Sequence, residues 1–152
     1  MSALLRRSVT ELTDLLARRQ ISPVELMEAT LARIEAADGQ LNAFVAMRPR
    51  EALLADAREA EARIGRDETR PLEGIPLGVK DLEDAAGLAT THGSVPFKDH
   101  MPERDSVQVE RLRAAGAIVV GKTNAPEFGY TALTKNLLFG VSRNPWNLER
   151  TP

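Results

Sequence analysis

Lys80 closes the run Gly74-Ile75-Pro76-Leu77-Gly78-Val79 and is followed at once by Asp81. Such a short apolar stretch, punctuated by proline and glycine, reads as a buried strand. An ammonium at its end is costly to bury unless it is paired or deprotonated. Three readings stand side by side. The strand ends at Val79 and Lys80 emerges into water or pairs with Asp81, or Lys80 is a proton-accepting base, or it forms a Schiff base. Either chemical role needs desolvation or a nearby cation to lower a lysine pKa that is ordinarily ~10.4.

The second polar cluster is Gly121-Lys122-Thr123-Asn124. A phosphate-binding loop would need a glycine-rich lead-in after a strand and before a helix, and that order is absent. Thr123 and Asn124 are instead expected to hydrogen-bond the backbone of a site, or Lys80 itself. Phe128 and Tyr130 lie close by in sequence and either line a pocket or belong to the core. Trp146, between Pro145 and Asn147, is expected to anchor a turn by packing. His92 and His100 stand apart in polar, loop-like sequence without further ligands at workable spacing, so no metal site is expected.

Composition narrows the classes further. The 152 residues are 43% hydrophobic and 28% charged, with a formal net charge of −2, which suits one globular domain and offers no electrostatic case for nucleic acid or an anionic membrane. The sequence has no cysteine, which removes disulfides, thiolate metal sites and thiol nucleophiles. The opening residues Met1 to Arg7 are too short and too charged for a secretory signal. No apolar run approaches the ~18 residues of a membrane helix, and a cytoplasmic location is expected.

The elements that must hold these residues can be read in order. Ser8-Val9-Thr10-Glu11 and Ser22-Pro23-Val24-Glu25 have the form of capping boxes opening two helices, the second expected to stop at Gly39. A third helix follows Pro49 and ends at Gly65, with Leu53, Leu54, Ala57 and Ile64 as its apolar stripe. Gly87 to Pro102 is a long excursion of the functional or locally structured kind. Asp105, with Gln108 closing the box, caps a helix ending at Gly116, and Ala117 to Val120 forms another buried strand. Strand, crossover helix and strand make the two strands parallel. Lys80 then ends one strand and Thr123-Asn124 lies just past the other, on the edge where open α/β sheets carry their chemistry.

Three motifs now stand in order: Gly74 to Asp81, then Val119-Val120-Gly121-Lys122-Thr123-Asn124-Ala125-Pro126-Glu127-Phe128-Gly129, then Asn144-Pro145-Trp146-Asn147. In order and spacing this resembles the amidase-signature family from about Leu72 to Pro152, and more loosely over the N-terminal helices. The resemblance implies an α/β fold, with helices followed by the first strands of a mixed, largely parallel sheet. Residues 1–152 would form a single incomplete domain, with a helical segment over 1–66 and the start of the α/β core over 72–152. It implies hydrolysis of a small carboxylic amide to acid and ammonia or amine, without a cofactor. In that family a nucleophilic serine is assisted by a second serine and by the lysine matching Lys80. The bridging serine belongs to a Gly-Gly-Ser-Ser-Gly-Gly run that follows a Thr-Pro such as Thr151-Pro152. No serine of residues 1–152 stands in either matching motif, so the chain alone is expected to be inactive. Its last strand is expected to leave an unpaired edge. A non-catalytic remnant or binding module, and the amidase subunit of a tRNA-dependent amidotransferase, are the alternatives. A homo-oligomer is left open.

Overall fold

The computed structural model describes residues 3–152. Four helices, α1 (Val9–Ala17), α2 (Pro23–Leu41), α3 (Arg50–Gly65) and α4 (Val107–Ala114), combine with five strands in a mixed α/β arrangement. The strands are β1 (Phe44–Met47), β2 (Pro76–Lys80), β3 (Ile118–Thr123), β4 (Lys135–Asn136) and β5 (Gly140–Val141). No helix among the described residues is long and apolar enough to cross a membrane.

Both N-terminal capping boxes form. Ser8 Oγ accepts from Glu11 N at 3.2 Å while the Glu11 carboxylate accepts from Ser8 N at 2.8 Å. Ser22 and Glu25 repeat the exchange at 3.0 and 2.8 Å. Helix α2 differs from expectation at its end. It runs through Gly39 to Leu41, and the turn falls on Asn42 at φ 51°. The Asp38 carboxylate accepts from Ala43 N at 2.7 Å and Phe44 N at 3.1 Å, so a local side chain stops the helix and starts a strand. That strand, β1, lies between two expected helices, in a stretch where the sequence suggested no element. Helix α4 is capped by Ser106, whose Oγ accepts from Val109 N at 3.4 Å, and not by Asp105. Asp105 instead accepts from Ala86 N at 2.7 Å.

The larger sheet has the order β1-β3-β2. Ile118 N donates to Ile75 O at 2.8 Å and Asp81 N donates to Thr123 O at 2.9 Å. Both strands advance in the same sense between these bonds, so β2 and β3 are parallel. β1 is antiparallel to β3, pairing Phe44 with Thr123 and Met47 with Gly121. The expected unpaired edge on β3 is therefore absent, because β1 covers it. β3 also runs three residues beyond Val120, which places Lys122 and Thr123 inside the strand and only Asn124 past its end.

Gly121 makes this pairing feasible. A Cβ there would overlap the Ala46 carbonyl oxygen and lie 3.1 Å from Met47 Cα, both backbone atoms of the neighbouring strand. We expect Gly121→Ala to destabilise the fold by about 1–3 kcal/mol, read as a lowered urea midpoint. An unchanged midpoint would show that β1 pairs less tightly than described.

The chain divides into two compact units. The first comprises Met1–Glu35, Arg48–Leu77 and Arg111–Val120. Its core is apolar: Leu12, Leu16, Leu26, Ile64 and Ile75 cluster, with Leu4, Leu5, Ile21 and Leu72 packed against them. The second comprises Ala36–Met47, Gly78–Glu110 and Gly121–Pro152. Its interior is different. Among the described residues every buried polar side chain except Glu73 belongs to it: Asp81, Thr90, Thr91, Ser94, Lys122, Asn124 and Ser142. Concentrated buried polarity is costly unless satisfied, so this unit is where function is sought.

Candidate active site at the ends of β2 and β3

Alternation along β2 separates the two charged neighbours. Val79 is buried, Lys80 exposed and Asp81 fully buried. Lys80 thus emerges into solvent and does not pair with Asp81. Its ammonium has no hydrogen bond or ion pair among the described residues, whereas its carbonyl accepts from Glu83 N at 3.0 Å in the turn that follows.

Asp81 pairs with Lys122. The Lys122 side chain is 0% exposed, and its Nζ lies 3.4 Å from Asp81 Oδ1. The same Nζ donates to Glu83 O at 2.7 Å and to Thr90 Oγ1 at 2.6 Å. An ammonium has three protons, and here it meets three oxygens. Asp81 is completed by Thr91, whose N donates to Oδ1 at 3.1 Å and whose hydroxyl donates to Oδ2. Thr90 and Thr91 come from the long excursion after Gly87. That loop therefore supplies polar ligands to the interior, in addition to a short 3₁₀ turn at Val95–Phe97.

Burial pushes the Lys122 ammonium below its usual range, and the Asp81 carboxylate opposes that shift. Between the lowered folded value and 10.5 the unfolded chain binds more protons than the folded one. The contribution of Lys122 to stability should therefore rise with pH across that window. Urea melts against a Lys122→Met reference would show it. The advantage of the wild type over Lys122→Met should widen as pH rises towards 10.5, because the penalty of burying the charge is progressively relieved. A pH-independent difference would contradict it.

Of the other expected residues, Thr123 is half-buried and its carbonyl receives Asp81 N. Asn124 is buried and bonds neither Lys80 nor the β2 end. Its Nδ2 donates to Ser142 Oγ at 3.0 Å, and its Oδ1 accepts from Ala125 N at 2.9 Å and Asn136 Nδ2 at 2.8 Å. Ser142 Oγ in turn donates to Asn42 O at 2.6 Å. Phe128, at φ 49°, is 57% exposed, and Tyr130 is 91% exposed, so neither belongs to the core. Both line a cleft of about 360 Å³ with Glu127, Thr131 and Lys135. Phe128 also stacks on His92 at 5.8 Å, within a ring cluster that includes Phe97 and His100. His92 is thus partly covered by rings and not a free loop histidine. Trp146 is 94% exposed and anchors nothing by packing; its turn is held by Asn144 Oδ1, which accepts from Trp146 N at 2.9 Å. Among the described residues no group of three or more His, Cys, Asp or Glu could hold a metal ion.

Lys122 is the residue that sequence reasoning missed. Ending the strand at Val120 placed it in a loop. A signal was present: two opposite charges, Asp81 and Lys122, stand at matching ends of two strands read as parallel. Lys122 also differs from Lys80 in what it can do. All three of its protons are engaged and water does not reach it, so it offers no lone pair to a reactant. Lys80 offers an accessible amine.

The amidase family profile matches residues 25–152, most of the chain. The chain belongs to the amidase family. It is 41% identical over its whole length to a glutamyl-tRNA(Gln) amidotransferase subunit of Roseiflexus sp. (strain RS-1), of which it covers 31%. A bacterial aryl acylamidase of the amidase-signature enzymes superposes on it with a TM-score of 0.85 at 33% identity, over 93% of this chain and 30% of that one. A protein solved in a vestigial complex bearing on the origins of an s-triazine catabolic enzyme gives a TM-score of 0.86 at 36% identity, over 93% and 31% of the two chains. The fold is the corresponding part of the amidase-signature fold, and the chain spans about a third of the length of the relatives it matches.

Proposed function

We propose that this chain is the N-terminal part of an amidase-signature hydrolase that converts a small carboxylic amide and water to the acid and ammonia or an amine. Residues 1–66 would be a helical N-terminal segment and 72–152 the start of the catalytic α/β core, in a single domain completed by further chain. The observation that carries the reading is Lys80: an exposed, unengaged amine at the end of β2, in the motif that matches the family's catalytic lysine. A serine hydroxyl attacks the amide carbonyl, and its proton passes through a bridging serine to Lys80 Nζ. The proton then goes to the leaving nitrogen, and water cleaves the resulting ester. Both serines would come from chain outside residues 1–152. Thr123 and Asn124 would support the site through the β3 end and its polar network. Phe128 and Tyr130 would line the acyl pocket, a role supported by the cleft they flank. The chemistry needs no cofactor and suits a cytoplasmic protein.

A second reading keeps the same chemistry within an amidotransferase built from several chains, where released ammonia is passed to a tRNA-linked acid. The name of the Roseiflexus relative favours it. Ammonia release from simple amides by the intact protein, with and without added glutamine, tests both. Turnover of simple amides alone supports a free amidase, and glutamine-dependent release supports the amidotransferase. No release from either sinks the hydrolase reading.

A further inference from the structure

We propose that Lys122 is a positioning residue for Lys80, holding the turn after β2 through a closed circuit of hydrogen bonds and an ion pair. The inference rests on the reading of Lys80 as the proton carrier. The circuit starts at Lys80 itself, whose carbonyl accepts from Glu83 N at 3.0 Å. Glu83 O accepts from Lys122 Nζ at 2.7 Å. Lys122 Nζ reaches Asp81 Oδ1 at 3.4 Å, and Asp81 is covalently the next residue after Lys80. Asp81 N donates to Thr123 O at 2.9 Å, and Thr123 follows Lys122 directly. The backbone on both sides of Lys80 is thus tied, by main chain and by ammonium, to two consecutive residues of β3.

The chemistry of the pair explains why this grip would be firm. Lys122 is fully buried, so each of its protons must stay on one of three oxygens, and any rotation of the 80–83 turn would strand one of them. Glu83 and Asp84 add negative charge near the ammonium from the same turn. Thr90 and Thr91 close the other side, from the loop after Gly87. A catalytic amine on a flexible four-carbon stem needs such a base, because misplacement by about 1 Å can cost about a hundredfold in rate.

Competitive acetylation of the intact protein, followed by peptide mapping, reads Lys80 against Lys98 and Lys135 as internal references. In Lys122→Met we expect the Lys80 labelling rate to change by about threefold or more. kcat on an amide substrate should fall by about tenfold or more with KM within about twofold. Lys98 and Lys135 should label as in the wild type. Thr90→Val removes an acceptor of Lys122 and a 3.4 Å donation to Glu83 O without a change of shape, and should give the same pattern at about twofold. It decides alone if Lys122→Met does not fold. Lys80 labelling at the wild-type rate overturns the proposal, as does a parallel change at all three lysines. Where the wild type is active, a fall in kcat without a labelling change, or the reverse, also overturns it. If the wild type releases no ammonia from any amide, the hydrolase reading has failed, and the labelling arm still decides whether Lys122 positions Lys80.

Discussion

Lys80→Ala is expected to lower kcat for amide hydrolysis by about 10²–10⁴-fold in the intact protein, with KM changed by no more than a few-fold. The reason is the division of labour within the site. A lysine that only carries a proton contributes to the transition state and little to ground-state binding, so its loss falls on kcat. Stability should barely move. Lys80 is exposed and its ammonium has no partner among the described residues, so removing the side chain breaks no contact. Ammonia release under saturating substrate, beside a urea melt of the same preparation, separates the two effects. Full activity in Lys80→Ala would remove Lys80 from the mechanism, and a large loss of stability would mean that its side chain makes contacts in the folded protein.

Lys122→Met is expected to do the opposite to stability, costing about 3–5 kcal/mol, because it leaves the Asp81 carboxylate buried without its cation. Asp81→Asn should cost a similar amount by stranding the ammonium. The double variant Asp81→Asn/Lys122→Met leaves no buried charge at the pair. Its cost should fall short of the sum of the single variants by about 0.5–3 kcal/mol. Urea midpoints of the four proteins complete the cycle. Simple additivity would show that the 3.4 Å approach of Lys122 Nζ to Asp81 carries no coupling, and that the two groups are satisfied separately by Thr90, Thr91 and Glu83.

The two variants together separate the lysines by environment. One is reachable, with no partner among the described residues, so a reactant can approach it. Its use as a base needs desolvation or a nearby cation in addition. The other is unreachable and fully engaged, which suits architecture. Their sequence contexts are alike, since each follows a valine- and glycine-containing run.

What sequence could determine were features written in local periodicity and short-range bonding. Capping boxes at Ser8 and Ser22 and the apolar stripe of α3 follow from residues a few positions apart. The parallel β2 and β3 follow from the order strand, helix, strand, and the family from short motifs standing in sequence order. Lys80 was legible for the same reason, as a charge closing an apolar run. Other features needed the tertiary structure. β1 is a strand because the Asp38 carboxylate ends α2 and because β3 offers Phe44 to Met47 a partner far along the chain. Gly121 is required by the Ala46 carbonyl of that same partner. Asn124 turned to Ser142 and Asn136 because its neighbours in space, not in sequence, carry the matching groups. The burial of Lys122 is the clearest case. Whether an ammonium can sit in an interior depends on three acceptors arriving from Asp81, Glu83 and Thr90, and only the folded chain brings them to one point.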